Sequence, residues 1–440
     1  MRFFGVATIA SLFSLAACAT LPTITTKGSK FFTSSGDQWF VKGVAYQLSP
    51  DDPLLDVAQC TMDASLMASL GANAIRVYHV ISGDHSGCMQ AFADKGIYVF
   101  VDLDTFTTQI EQTDPHFNQT QLSSFESVMD EFHTFDNVAG FFIANEVVTT
   151  PLNSAAAAFV KLSVQLLKEY RINKGYRAIP IGYSHADVAG LRPMMQNYLA
   201  CGTNLNATVD FFGLNTYEWC GDSNYATSGY QTITDQIKNY PVPIFLSEDG
   251  CNTVQPRTFQ DQLTIFGPSM APYWSGAIIY EWIQETNAYG LVTYGGNAQA
   301  VAPADGPTSV QRSGTPTPIT PDFSNLKSAW SSATASSVSA AAYSPSLTNP
   351  PCPAYTTPGS TTGWGINGDV ALPTLGQVYD ASASSSVTAG TAGASAASGT
   401  AASSSSSKGA GSTVQDPSRT GFQSVVISFA GLLLSFAGWF

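Results

Sequence analysis

Cationic residues are scarce in this chain, and their scarcity excludes one large class of function. The 440 residues include 18 Lys and Arg against 32 Asp and Glu, which gives a net charge of −14, and only 11% of residues are charged. Proteins that bind nucleic acid neutralise phosphates with Lys and Arg. We therefore expect no nucleic-acid partner.

The sequence also lacks the ligand patterns typical of a zinc site. It has no CxxC pair and no His-rich cluster, so we predict no metal, and no motif calls for an organic cofactor. Seven cysteines are present. If Cys18 is removed with a leader segment, the remaining even number in an exported chain predicts three disulfides. Composition alone leaves their pairing open.

The N-terminus resembles an export signal. Arg2 precedes an apolar run over residues 3–17, and small residues follow it. Residues 1–19 are therefore predicted to be a secretory signal peptide, with a buried first helix as the alternative. Asn118 and Asn206 begin glycosylation sequons, which suit an exported protein.

The C-terminus carries a second apolar run. In residues 413–440 a polar spacer leads into an apolar tail that starts at residue 425. Small residues, a spacer and a terminal tail are typical of a GPI-attachment signal, with a tail anchor as the alternative. We predict attachment at Gly409, Gly411 or Ser412, which would place the protein on the outer face of the plasma membrane.

Between these ends the composition changes after residue 330. Residues 20–330 are globular in composition, whereas residues 331–380 are rich in Ser, Ala, Thr and Pro and predict an irregular extension that Cys352 ties to the domain. Residues 381–412 contain almost no large apolar side chain. Such a segment buries too little surface to offset its ordering entropy, so we predict a flexible stalk.

Short apolar runs alternate with helix-like stretches in the globular part. The predicted strands are residues 40–47, 74–80, 97–103, 139–146, 178–183, 211–217, 242–248 and 277–282, and helices are predicted at 56–70, 122–135, 153–174 and 258–266. This α/β alternation predicts a (β/α)8 TIM barrel followed by a disordered Ser/Ala/Thr-rich stalk. An open doubly wound sheet is the alternative, which the absence of a GxGxxG or Walker loop weakens.

Carboxylates stand where two of the predicted strands end. The fourth strand ends in Asn145-Glu146, and the seventh ends in Ser247-Glu248. Because the C-terminal strand ends form the active face of such a barrel, Glu146 and Glu248 are a candidate pair for glycoside cleavage, for which retention requires carboxyl groups about 5–5.5 Å apart. The alternatives are a helix cap after Asn145-Glu146 and an acidic turn at Glu248.

Other polar and aromatic residues end the same strands. The aromatic residues at these strand ends are Tyr46, Tyr78, Tyr217, Trp219, Tyr280 and Trp282. Aromatic side chains pack on sugar rings, so these residues are candidates for glucan contact, and packing in the core is an equal alternative. Arg76 would set the ionisation of a carboxylate or form a salt bridge inside the barrel. His79 and His185 stand alone, which favours structural roles over metal ligation.

Longer motifs in the globular part resemble one family. The matching stretches are residues 40–47, 75–78, 96–103, 142–146, 181–184, 215–221, 245–252, 280–282 and 287–291. Together, and in this order, they resemble the fungal β-1,3-glucanosyltransferases of glycoside hydrolase family 72. The family's cysteine-rich carbohydrate-binding module has no counterpart here, so the likeness is to the shorter subfamily.

The resemblance implies a retaining transglycosylase of the cell wall. Such enzymes cleave β-1,3-glucan internally, hold the new reducing end covalently and pass it to the non-reducing end of another chain. Glu146 would be the acid/base and Glu248 the nucleophile. A retaining β-1,3-glucanase and a non-catalytic glucan-binding wall protein are the alternatives, and a monomer is expected.

The resemblance further implies which residues contact glucan and how the cysteines pair. Contacts are expected at Gln47, Tyr78, Asn145, Tyr217 and Trp282, along the loop Asp104, Thr105, Phe106, Thr107, Thr108, Gln109, Ile110, Glu111 and Gln112, and at an acceptor-side pair, Asp187 and Arg192. The implied disulfides are Cys60–Cys88, Cys201–Cys352 and Cys220–Cys251.

Three residues depart from the family pattern. Asp249 follows the nucleophile where Tyr is usual, Trp282 stands where Tyr is common, and Gln112 where Arg is common. A second acidic group beside Glu248 would either raise its pKa or point away from it without effect.

Overall fold

A small antiparallel sheet closes one end of the molecule before the main fold begins. The computed structural model describes residues 21–295 and 310–378. Its first three strands are β1 (Ile24–Lys27), β2 (Lys30–Thr33) and β3 (Gln38–Trp39). Phe31 of β2 is fully buried and packs against Phe211 and Phe245, which lie near the starts of two later strands. The sheet therefore plugs the N-terminal end of the barrel.

Eight parallel strands close into that barrel. In chain order they are β4 (Val41–Ala45), β5 (Ala74–Val77), β6 (Tyr98–Asp102), β7 (Val138–Asn145), β8 (Ile181–Ala186), β9 (Phe211–Thr216), β10 (Ile244–Asp249) and β11 (Gly276–Ile279). They pair in sequence, and β11 pairs with β4 to complete the circle. Almost every strand residue is buried, as expected for parallel strands with helices over their outer face.

Helices alternate with the strands. They are α1 (Val57–Leu70), α2 (Ser86–Ala93), α3 (Gln119–Phe132), α4 (Ala157–Asn173), α5 (Arg192–Ala200), α6 (Tyr230–Ile237), α7 (Gln260–Ile265) and α8 (Asp322–Ser332), with 3₁₀ helices at Pro151–Ala156 and Leu205–Ala207. Asn118 caps α3 by accepting hydrogen bonds from the backbone of Thr120 and Gln121. Strands β12 (Val292–Tyr294) and β13 (Pro316–Pro318) form a separate pair. The barrel confirms the predicted (β/α)8 fold.

Three disulfides hold outer parts of the barrel together. Cys60–Cys88 joins α1 to α2, and Cys220–Cys251 joins the segments that follow β9 and β10. Cys201–Cys352 joins the end of α5 to the chain beyond α8. These are the three pairs that the family resemblance implies.

The irregular segment after α8 packs on the barrel up to residue 378. Trp364 is fully buried there and packs against Tyr198 of α5, with ring centroids 5.7 Å apart. The backbone N–H of Gly365 donates to Ser154 Oγ at 2.7 Å. The predicted signal peptide, the stalk over 381–412 and the attachment segment lie outside the described residues. Within the described residues, no helix is long and apolar enough to cross a membrane.

Replacing Trp364 by Ala is expected to lower the free energy of unfolding by about 3–5 kcal/mol, because it empties a buried aromatic site. Trp364 Nε1 has no hydrogen-bond partner in the described part, so the loss reflects packing alone. Urea unfolding measures it. Val378→Ala, at a side chain that is 74% exposed, is the control and should change little. Equal stability of the two variants would show that the extension is not docked.

Candidate active site

Glu146 lies just beyond β7 at the C-terminal mouth of the barrel. Its backbone N–H donates to Ser184 O at 2.9 Å, and its φ of 52° places it in the left-handed region, which is costly for a residue with a Cβ. Such strain is concentrated at functional sites. Asn215 of β9 donates from Nδ2 to Glu146 Oε1 at 2.8 Å, which orients the carboxyl group.

Glu248 faces the same mouth from β10 and accepts two phenol hydrogen bonds. Tyr78 Oη donates to its Oε1 at 2.9 Å, and Tyr217 Oη donates to its Oε2. A register shift between Leu246 and Glu248 places two residues of β10 opposite Asn215 of β9. Such a bulge redirects side chains: Ser247 donates to Asn215 inside the barrel, and Glu248 still reaches the mouth.

Arg76 contacts both Glu248 and the neighbour of Glu146, Asn145. Its buried guanidinium donates to both carboxylate oxygens of Asp102, at 3.0 and 2.6 Å, and to Asn145 Oδ1 at 3.0 Å. It also lies 3.6 Å from Glu248 Oε1. Both expectations for Arg76 therefore hold: it forms a salt bridge inside the barrel and it places a positive charge beside Glu248.

The ionisation of Glu248 is balanced between opposing effects. Burial, followed by the neighbouring charge of Glu146, raises the pKa of Glu248 to about 7. Arg76 and the two phenols act in the opposite direction. A negative charge at Glu146 therefore disfavours the ionised form of Glu248, and the cation and the phenols favour it.

The side-chain amide of Asn145 lies at the mouth beside Glu146. Its Oδ1 accepts from Arg76 and from Asn215, at 3.0 and 3.1 Å. Its Nδ2 has no partner among the described residues, so the amide hydrogens are available to a ligand beside Glu146. Asn215 orients both Asn145 and Glu146. The sequence predicted no separate role for it, since it stood only within the family motif over residues 215–221. A polar residue near the end of the sixth barrel strand was the signal that could have identified it.

The loop over residues 104–112 borders the mouth. Phe106 is 64% exposed and packs on His79 in a tilted arrangement, with ring centroids 4.0 Å apart. Gln112, the departure from Arg, donates to Glu146 O at 3.1 Å and accepts from Thr149 and Asn153, so it attaches the loop to the acid/base residue. The side chain of Ile110 is in the core, which leaves only its backbone for ligand contact.

Three further loop residues have defined surroundings. Asp104 is buried, and burial together with the charge of Asp102 raises its pKa well above the usual range. Gln121 of α3 donates from Nε2 to the backbone oxygens of Thr108 and Gln109, at 3.3 and 2.9 Å. The loop is thus held from its helix side.

The structure does not support the expected contact between Trp282 and glucan. Trp282 is fully buried, donates from Nε1 to Tyr294 Oη at 2.9 Å and packs against Phe323 of α8. Tyr280, two residues earlier, has an edge contact with Tyr217 instead. Of the six aromatic residues at strand ends, Tyr78, Tyr217 and Tyr280 are only partly buried, whereas Tyr46, Trp219 and Trp282 belong to the core.

Asp187 and Arg192 form an ion pair at the end of β8. Thr216 Oγ1 donates to Asp187 Oδ2 at 3.0 Å, and Arg192 donates from Nε to Gln236 Oε1 at 3.0 Å. Arg192 is nearly fully buried, whereas Asp187 is partly exposed. The structure therefore joins the pair, and its expected contact with an acceptor stays a prediction.

Asp249 points away from the mouth. Its carboxyl group accepts from Tyr230 of α6 at 3.0 Å and from Gln262 of α7 at 2.7 Å, on the helix side of the barrel wall. Burial, then the charge of Asp261, raises the pKa of Asp249 well above the usual range. Its charge is not among the main causes of the shift at Glu248. Of the two expectations for Asp249, the structure supports the one in which it points away from Glu248 without effect.

The stability of the protein is expected to fall as the pH rises above about 4, the pKa of an unfolded Asp, partly because of Asp249. The folded chain keeps the proton on this carboxyl to higher pH than the unfolded chain does, so rising pH favours unfolding until the raised pKa is passed. Asp249→Asn removes this contribution. Urea unfolding from pH 4 to 8 should show a shallower decline for the variant, and parallel curves would contradict the assignment.

Among residues 21–295 and 310–378, no group of three His, Cys, Asp or Glu side chains is arranged to hold a metal ion. The polar groups at the mouth are carboxylates, phenols, amides and one guanidinium.

Comparisons with known proteins agree on one family. The sequence profile described as Glucanosyltransferase, glycoside hydrolase family 72, matches residues 13–305. The chain is 39% identical to 1,3-beta-glucanosyltransferase gas2 of Schizosaccharomyces pombe, over 82% of this chain and 77% of that protein. It is 42% identical to gas1 of the same organism, over 66% of this chain and 55% of that longer protein.

A solved structure matches equally well. Saccharomyces cerevisiae Gas2p in complex with laminaritriose and laminaritetraose has a TM-score of 0.71 and 34% sequence identity, and the match covers 82% of this chain and 78% of that one.

Proposed function

Because the chain belongs to the glucanosyltransferase family, glycoside hydrolase family 72, we propose that it is a 1,3-β-glucanosyltransferase that elongates cell-wall glucan. The resemblance seen in the motifs is thereby confirmed. The observation that carries the proposal is a network of hydrogen bonds and one ion pair at the barrel mouth, in which Arg76, Asn145 and Asn215 connect Glu146 to Glu248.

In this proposal each carboxyl group takes one step of the reaction. Ionised Glu248 attacks the anomeric carbon of a β-1,3-linked glucosyl unit, while Glu146 gives its proton to the leaving oxygen. The product is a covalent glycosyl-enzyme with one glucan fragment released. Glu146, now ionised, then removes a proton from the hydroxyl of an incoming chain end, which displaces Glu248 and restores the β configuration.

The surrounding residues support these steps. The phenols of Tyr78 and Tyr217 and the guanidinium of Arg76 favour the ionised form of Glu248 and solvate it again when it leaves the sugar. The free Nδ2 of Asn145 is placed beside the acid, where a hydrogen bond to the sugar's 2-hydroxyl strengthens in the transition state. Gln47, Asp187, Arg192 and the loop over 104–112 supply further donor or acceptor contacts.

Elongation of an oligosaccharide tests the proposal. Purified protein is incubated with a reduced laminari-oligosaccharide and the products are separated by size. Products longer than the input are expected. Shorter products alone would indicate a β-1,3-glucanase, in which water resolves the intermediate, and an unchanged oligosaccharide that still binds would indicate a glucan-binding wall protein.

The location of the protein is part of the same proposal. We infer an exported protein with a signal peptide over residues 1–19, a catalytic barrel over 20–330, an extension over 331–380 and a stalk over 381–412. A GPI anchor at Gly409, Gly411 or Ser412 would hold it as a monomer on the outer face of the plasma membrane. The sequence pattern supports this inference, and release from cells by a GPI-specific phospholipase tests it.

A further inference from the structure

Glu281 is a buried carboxyl group held by two side-chain amides. It comes directly after Tyr280, beyond the end of β11, and is fully buried. Its Oε2 accepts from Gln47 Nε2 at 2.6 Å, and its Oε1 accepts from Asn287 Nδ2 at 2.7 Å. In the described part of the chain it forms no ion pair, because the nearby Arg312 pairs with Glu285.

A carboxyl group in this position is costly for the fold. Burial, followed by the charge of Glu285 and more weakly that of Glu248, raises the pKa of Glu281 to about 8, while the two amide donors lower it. A neutral or apolar side chain would avoid this cost. A group that is buried at a cost and hydrogen-bonded to a residue of the cleft is a candidate for a functional role.

The contacts of Gln47 indicate what that role is. Gln47 lies just beyond the end of β4 and is only partly buried. Its Nε2 donates to Glu281 and also to Tyr280 Oη at 2.7 Å, so both amide hydrogens are engaged. Its Oε1 has no hydrogen-bond partner among the described residues. Tyr280 has an edge contact with Tyr217, which in turn donates to Glu248.

We propose that Glu281 is a positioning residue that turns the amide of Gln47 so that its carbonyl oxygen faces the cleft and accepts a hydrogen bond from a glucan hydroxyl. This inference rests on the proposed function, because it takes β-1,3-glucan as the ligand. It adds the direction of the contact: the carbonyl oxygen of Gln47 accepts from the sugar hydroxyl, and Glu281 fixes that direction without touching the sugar.

The neighbouring amide makes Glu281→Gln an informative change. Asn287 cannot turn freely, because its Oδ1 accepts from the backbone of Tyr289 and its backbone oxygen accepts from Asn252. Its Nδ2 therefore keeps facing residue 281, and the carbonyl of the new side chain must face Asn287. The new amide hydrogens then face Gln47, which has to turn its own carbonyl inward and present hydrogens to the cleft.

A double-mutant cycle tests the proposal through binding. Laminaritetraose affinity is measured by calorimetry in a Glu146→Gln background, in which turnover is suppressed, for Glu281→Gln, Gln47→Met and the double variant. Each single change should weaken binding about tenfold, the size of one well-placed hydrogen bond. The double variant should bind no more weakly than Gln47→Met, because Glu281 acts only through Gln47.

Asp63→Asn is the matched control. Asp63 is another buried carboxyl group, and it accepts from Tyr46, the residue before Gln47, at 2.8 Å. Its replacement should lower the melting temperature and leave the affinity unchanged. Glu281→Gln with wild-type affinity, additive losses in the double variant, or an equal loss in Asp63→Asn would each overturn the proposal.

The same experiment keeps the two proposals apart. If the wild-type chain binds laminaritetraose but does not elongate it, the proposed transfer reaction fails, while the cycle still decides whether Glu281 acts through Gln47. If the wild-type chain elongates the sugar and the cycle is additive, only the inference about Glu281 fails.

Discussion

Replacing Glu248 by Gln is expected to reduce glucan elongation on the order of 10⁵-fold, the scale of losing a covalent nucleophile. The amide cannot bond to the anomeric carbon, and it also presents N–H donors where Tyr78 and Tyr217 now donate. Affinity for laminaritetraose should change far less, because the remaining cleft residues are untouched. Product analysis by size measures the first quantity, and calorimetry the second.

Asp249→Asn is the matched control for this variant. It alters the adjacent carboxyl group on the same strand, but that group faces Tyr230 and Gln262 on the helix side. Elongation by Asp249→Asn should remain close to the wild-type rate. Full activity of Glu248→Gln, or equal losses in the two variants, would remove Glu248 from the nucleophile role.

Replacing Glu146 by Gln is expected to reduce elongation from glucan by about 10²–10⁴-fold, the usual contribution of a general acid. The loss in the first step, measured as release of the leaving group, should be much smaller when that group needs no proton, such as fluoride, whereas the second step still needs Glu146 as base. Comparing leaving-group release from the two donors isolates proton transfer to the leaving oxygen from the other effects of the substitution.

The same variant has a predicted pH signature. The charge of Glu146 raises the pKa of Glu248, so a neutral side chain at position 146 should lower that pKa. Because attack requires ionised Glu248, the acid limb of the rate with the fluoride donor should move to lower pH. Glu131→Gln, on the half-exposed outer face of α3, is the control and should not move it. An acid limb that stays in place in Glu146→Gln would contradict the coupling.

The eight barrel strands could be predicted from sequence because each is a short apolar run that polar residues bound. Observed and predicted strands agree within a few residues, from β4 (predicted 40–47, observed 41–45) to β11 (predicted 277–282, observed 276–279). The plug sheet β1–β3 was not predicted, since its strands have only two to four residues and form through Phe31 packing into a barrel that no local pattern reveals.

The direction of individual side chains was harder to predict than the strands. Tyr280 and Trp282 both lie at the end of the predicted strand over 277–282. Only the observed packing shows that Trp282 contacts α8 while Tyr280 contacts Tyr217. The same holds for Glu248 and Asp249, because the register shift in β10 interrupts the alternation from which a sequence argument would start. Tertiary packing decided these positions.

The composition of residues 331–380 indicated an irregular extension but not how it docks. Ser, Thr and Pro predominate, yet one fully buried aromatic residue, Trp364, and the disulfide of Cys352 attach the segment to α5. The average composition of some fifty residues does not reveal the few buried contacts that attach the segment.

Trapping the covalent intermediate tests the central claim most directly. A laminari-oligosaccharyl fluoride with fluorine at the 2-position of the reacting sugar slows both steps, and its good leaving group lets the first proceed. Peptide mapping by mass spectrometry should find the sugar attached to Glu248 in the wild-type chain and in Glu146→Gln. An adduct on Glu146 or Asp249, or turnover of this donor with no adduct on Glu248, would contradict the account.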